Sequence, residues 1–145
     1  MKEEFITYLE SIGTTEALRK RIETIYEFYH GIYPDEITDI FVTDYIKEDG
    51  LREYENLWFF SGKYCMEAKR FITKDEFDIT PIRKRVDYWT IQKQDYDFKK
   101  ATEKSRLRLL TTLDVGVHGD FKAAKENCDH LRDIFLKNIA PNLKE

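Results

Sequence analysis

Between Ile37 and Ile72 two tight-turn signals are set in runs of β-branched and aromatic residues, and this commits the middle of the chain to antiparallel sheet. Ile37–Ile46 reads Ile-Thr-Asp-Ile-Phe-Val-Thr-Asp-Tyr-Ile, and Tyr54–Phe60 resumes the same composition after Asp49-Gly50. Such residues pack well on a pleated surface, and an Asp-Gly pair supplies the left-handed backbone that a short hairpin turn needs. Ser61-Gly62-Lys63 forms the second turn, and Tyr64–Ile72 returns as the partner strand. The expectation is a meander of three strands.

The flanks follow different periods. Phe5, Ile6, Leu9 and Ile12 fall at helical spacing before Gly13, and Leu18, Ile22, Ile25, Tyr26 and Tyr29 repeat it, opened by Thr14 or Thr15 and closed by Gly31 and Pro34. The connection is short, so the two helices form an antiparallel hairpin over residues 1–33. Past the meander, Phe77–Thr80 alternates up to Pro81, which lacks a ladder donor and marks an edge or a bend. Residues 82–94 alternate weakly, 99–104 form a charged loop, and Leu107, Leu109, Thr111, Leu113 and Val115 give a clear strand. Gly116 and Gly119 break it. Asp120 then reads as the cap of an amphipathic helix running to Ala140, with Phe121, Ala124, Cys128, Leu131, Phe135 and Ile139 as its apolar stripe. Six strands and three helices make an α+β fold, a bent antiparallel sheet or partly open barrel within one domain over residues 1–145.

A chain of 145 residues can bury a core without disulfide staples, and ten Phe, nine Tyr and two Trp supply it. The formal net charge of −4 resides in the amino-terminal quarter: residues 1–36 carry 4 basic and 8 acidic groups, whereas later segments are balanced. A basic excess is the usual signature of phosphate-backbone binding, so extended nucleic acid is not an expected partner. Cys65 and Cys128 both fall in amphipathic segments and read as reduced, buried thiols. No apolar run reaches the length of a membrane span and the start lacks a signal-peptide pattern, so the expected location is cytoplasmic.

Catalytic templates are missing from the sequence. His30, His118 and His130 begin no zinc-ligand spacing, and Cys128 and His130 diverge on one predicted helix. No nucleophile elbow, phosphate-cradling loop or dinucleotide fingerprint occurs among six glycines. The carboxylates Asp75, Glu76 and Asp78, and Asp95 with Asp97, suit turns and solvated faces better than acid–base work. No cofactor or metal is expected. The most suggestive run is Arg83-Lys84-Arg85, with Lys69-Arg70 on the preceding strand and Arg106 and Arg108 on a later one. Together they read as a face for an anionic ligand or an acidic partner, or as charges balancing Glu67, Asp78 and Asp87 across the sheet.

Leu57-Trp58-Phe59-Phe60-Ser61-Gly62-Lys63-Tyr64, the step Asp78-Ile79-Thr80-Pro81-Ile82 and the segment from Asp120 to Ala140 follow an order that resembles the pleckstrin-homology-like family, GRAM-like relatives included. The resemblance covers roughly residues 37–140 and implies seven strands closed by a helix; residues 82–98 are the place for the seventh. Headgroup binding in that family uses basic residues near the first hairpin, whereas here that turn reads Lys47-Glu48-Asp49-Gly50-Leu51-Arg52-Glu53. Phosphoinositide binding is therefore not expected. The function expected is that of a non-enzymatic binding module whose partner is another protein, engaged through a sheet edge or the aromatic surface. The alternative is a small enzyme or ligand-binding barrel with an aromatic-lined cavity.

Overall fold

The computed structural model describes residues 1–33, 35–69, 71–72 and 76–143; Pro34, Arg70 and Asp75, singled out above, lie outside them. Two helices, α1 (Glu3–Ser11) and α2 (Glu16–Ile32), open the chain. Gly13, with a φ of 79°, turns the backbone between them, and Thr15 caps α2 by accepting from the Leu18 amide at 3.1 Å. They pack antiparallel, with Phe5 edge-on to Tyr26 at 6.2 Å and the Met1 amino group beside Glu27.

Among the described residues seven strands follow, in two antiparallel sheets. β1 (Asp39–Ile46), β2 (Arg52–Phe60), β3 (Tyr64–Lys69) and β4 (Asp78–Arg83) form one in simple order. β5 (Trp89–Gln94), β6 (Arg106–Asp114) and β7 (Val117–Ala124) form the other. Pro81 sits in β4 opposite Met66, on the edge strand where its missing N–H costs no ladder bond. β1 approaches β7 without a ladder and, among the described residues, β4 and β5 do not pair, so the two sheets do not close into a barrel.

Residues 117–124 correct the sequence reading. They form β7 rather than the start of a helix, and α3 begins only at Asn127 and runs to Ile134, followed by a π-helical turn (Phe135–Ile139) and a 3₁₀ turn (Ala140–Asn142). Asp120 caps nothing: its carboxylate receives both Nε and Nη2 of Arg108 on β6, at 2.9 and 2.7 Å. Val115-Gly116 is the hairpin turn, with Gly116 at a φ of 75°. Gly119 breaks nothing either; a Cβ there would stand 2.7 Å from the Phe121 ring and 2.8 Å from Leu113, so only glycine lets the strand pack this closely. The seventh strand thus lies after residue 115, and residues 82–98 hold β5 alone beyond the end of β4.

The core is aromatic where the sheets face each other. Trp58 meets Phe121 at 4.5 Å, and Phe41 and Phe60 lie within about 6 Å of the same ring. On the outer side of the first sheet, Tyr26 and Tyr29 of α2 pack on Phe59 at 5.9 and 5.8 Å. Leu131 and Phe135 are buried as expected from their spacing, and Phe121 is buried from a strand instead of a helix.

Candidate functional site

The turn into β3 and the chain leaving β4 come together because Tyr64 is opposite Arg83 in the ladder, and the Lys84 amide donates to the Lys63 carbonyl at 3.0 Å. The result is a hollow of about 370 Å³ lined by Gly62, Lys63, Tyr64, Arg83, Lys84, Arg85 and Asn142. Among the described residues none of its lining groups is a carboxylate. Among the described residues Lys63, Arg83 and Arg85 form no ion pair, so the three positive charges face open space. Lys84 is different. It is half-buried, and its ammonium donates to Oδ1 of the buried Asn138 at 3.1 Å. Asn138 in turn donates to Asp39 at 3.4 Å, and Lys137 pairs with the same carboxylate oxygen at 3.0 Å. Burial holds the Lys84 amine below the usual lysine range, against the pull of Asp39.

The other basic residues of the sequence reading go elsewhere. Lys69 is opposite Asp78 at the far end of the β3–β4 ladder, about 16 Å from the hollow at 3.3 Å per residue. Arg106 and Arg108 belong to the second sheet, where they line a separate hollow of about 330 Å³ with Gln92, Lys93 and Lys122. Arg108 is already held by Asp120 there. Arg83, Lys84 and Arg85 therefore stay together, Lys63 joins them, and Glu67 and Asp78 do not balance them: Glu67 faces Thr80, and Asp78 faces Lys69.

β5 begins four residues beyond Arg85, and it is an edge. The Thr112 amide donates to the Tyr88 carbonyl, while Trp89 is opposite Thr111. In an antiparallel ladder this makes Trp89, Ile91 and Lys93 the residues whose N–H and C=O point away from β6. Five of the six β5 residues are exposed. Trp89 also stands edge-on to Phe135 at 4.8 Å, and Phe98 is edge-on to the same ring at 6.2 Å, so an aromatic wall flanks the open edge.

No family model, curated protein or solved structure matches the chain.

A buried polar seam went unread in the sequence. Asp44 on β1 is fully buried; its Oδ1 accepts from the Ala124 amide and from Asn127 Nδ2, each at 2.9 Å, and its Oδ2 is 2.8 Å from Arg52 Nε as an ion pair without hydrogen-bond alignment. Arg52 also donates to the Ile12 carbonyl and Glu126, both at 2.6 Å, and to the Ala124 carbonyl at 2.9 Å. Tyr8 accepts from the Val42 amide at 3.0 Å and donates to Asn127 at 2.8 Å. Its ring stacks on His130, whose Nε2 lies 2.7 Å from the Ile40 carbonyl. Burial pushes the Asp44 carboxyl up to about 6 despite these partners. The signal was Asp44 itself, a carboxylate within a β-branched and aromatic run rather than in a turn.

The remaining candidates have structural work. Asp97 accepts from the Lys99 and Lys100 amides at 2.8 and 2.9 Å, which organises the loop and holds its carboxyl below the ordinary range. Cys65 and Cys128 are free and buried, and burial pushes both thiols up to about 12, far from thiolate reactivity at neutral pH.

Proposed function

We propose that the chain is a non-enzymatic binding module of pleckstrin-homology-like fold that takes an extended segment of another protein as an added strand on β5. The observation that carries the reading is the open edge: Trp89, Ile91 and Lys93 present backbone groups that are unpaired among the described residues, beside an aromatic wall. An exposed, unpaired strand is a template for another chain, and natural proteins blunt such edges unless they use them. Seven strands split four and three, with a helix after the last, support the fold assignment. The three unpaired cations beside the start of β5 favour a segment that is acidic at one end.

Proline substitution tests the edge directly. Lys93→Pro removes an outward N–H and leaves the ladder intact, whereas Gln92→Pro removes a donor facing β6. Extended peptides selected for binding from a displayed library are expected to lose affinity for Lys93→Pro while its thermal midpoint stays near that of the parent. Selected peptides that bind Lys93→Pro as tightly as the parent overturn the reading.

A further inference from the structure

The hollow holds a lysine unlike its neighbours. Lys84 lines the same space as Lys63, Arg83 and Arg85, yet its side chain is half-buried and oriented by Asn138, itself 1% exposed. We propose that Lys84 is a selective nucleophilic amine that forms a reversible imine with small aldehydes carrying a phosphate or carboxylate group. The inference concerns the amine and does not rest on a protein partner binding β5.

Two separate features make the chemistry. A lysine amine attacks carbonyl carbon only when unprotonated, and desolvation or nearby cations favour the neutral form. The groups facing Lys84 are Lys63 from the turn, Arg83 and Arg85 beside it in the chain, Cys65 on β3, Asp39 on β1, and Lys137 and Asn138 on the π-helical turn. Asp39, the one carboxylate of this set, is shared with Lys137 and Asn138 and so is a weak counter-ion for the ammonium. The second feature is the triad of unpaired cations, which concentrates anions at the mouth and orients them with guanidinium donors suited to oxyanions. The Nζ lone pair attacks the carbonyl carbon, a C–N bond forms, and the oxygen takes up a proton to give a carbinolamine. Loss of water, carrying both amine hydrogens and the carbonyl oxygen, then leaves the C=N bond. No oxidant or reductant is consumed.

The test uses the full chain with pyridoxal phosphate and, as the counterpart without the phosphate, 5′-deoxypyridoxal, which has no 5′-hydroxyl to close on the aldehyde. Imines are trapped with borohydride and mapped by mass spectrometry. Lys84 is expected to label faster than every other lysine near neutral pH, because its desolvated amine is more often unprotonated and the cations gather the anionic aldehyde beside it. Its rate should also level off at lower pH than theirs. Arg83→Ala with Arg85→Ala is expected to slow labelling by pyridoxal phosphate far more than labelling by 5′-deoxypyridoxal, which loses only the help of two cations in keeping the amine neutral. Labelling spread evenly over the lysines overturns the proposal, as does equal reactivity of the two aldehydes at Lys84. The site-resolved rate–pH profile of the unmodified sequence decides the matter even if the double variant fails to fold.

Discussion

Arg52 and Arg83 are both strand arginines in a sheet of four, and they live in opposite surroundings. Arg52 lies over the seam, with donors to Ile12, Ala124 and Glu126 and an ion pair to Asp44. Arg83 stands at the end of β4 with no acidic partner among the described residues. The chemistry of the side chain is the same, so the difference lies in what the rest of the fold brings to it. Partnered charge holds elements together, and unpartnered charge is available to something else.

The largest expected effect is at the seam. Arg52→Ala leaves Asp44 buried without its counter-ion and removes three further bonds, and breaking a buried pair in this way costs about 3–5 kcal/mol. Urea denaturation should show the midpoint fall accordingly; a shift within error would mean that the seam holds nothing together. Tyr8→Phe is the next test. It strips one hydroxyl that serves the Val42 amide and Asn127, at an expected cost of about 1–3 kcal/mol for the groups left unpaired.

Acid sharpens the comparison. The Asp44 carboxyl titrates near 6 in the folded chain, above its ordinary range, so the folded state binds its proton more tightly than the unfolded state does. Its contribution is therefore fully present below the unfolded value and is lost as pH rises through about 6. Stability of the parent minus that of Asp44→Asn should decline from about pH 4 to about pH 6 and then level off towards neutral pH, and His130 cancels because both proteins contain it. A flat difference would show that Arg52 fully offsets the burial.

The smallest expected effect is at the hollow. Arg83→Ala with Arg85→Ala should change unfolding free energy by no more than about 0.5 kcal/mol, as for surface positions without partners. A large loss on thermal unfolding would move these residues into the same class as Arg52 and erase the contrast.

The meander was legible because two glycine turns punctuate runs that only a strand accommodates. β7 was not. Its apolar residues Phe121 and Ala124 continue into Cys128 and Leu131 at intervals of three and four, and the same letters also alternate as Gly119, Phe121 and Ala123 on a strand. What decides between the periods is β6, whose Arg108 takes Asp120 as a cross-strand partner. The site was half-legible for a similar reason. A run such as Arg83-Lys84-Arg85 survives folding, but only strand register shows that Lys63 joins it and that Lys69 is at the opposite end. The seam was hidden because its members come from five separate elements.

Asp44 receives its neutral donors from residues 80 and 83 positions further along the chain. During synthesis the first sheet and both amino-terminal helices leave the ribosome before Ala124 and Asn127 exist to meet that carboxylate. An emerging chain thus carries a site that repels its own burial until the last strand arrives. Pairings of such long sequence separation slow folding and make it cooperative. The first sheet is accordingly expected to stay unsettled as a fragment, and the ends of the chain to fold as one event.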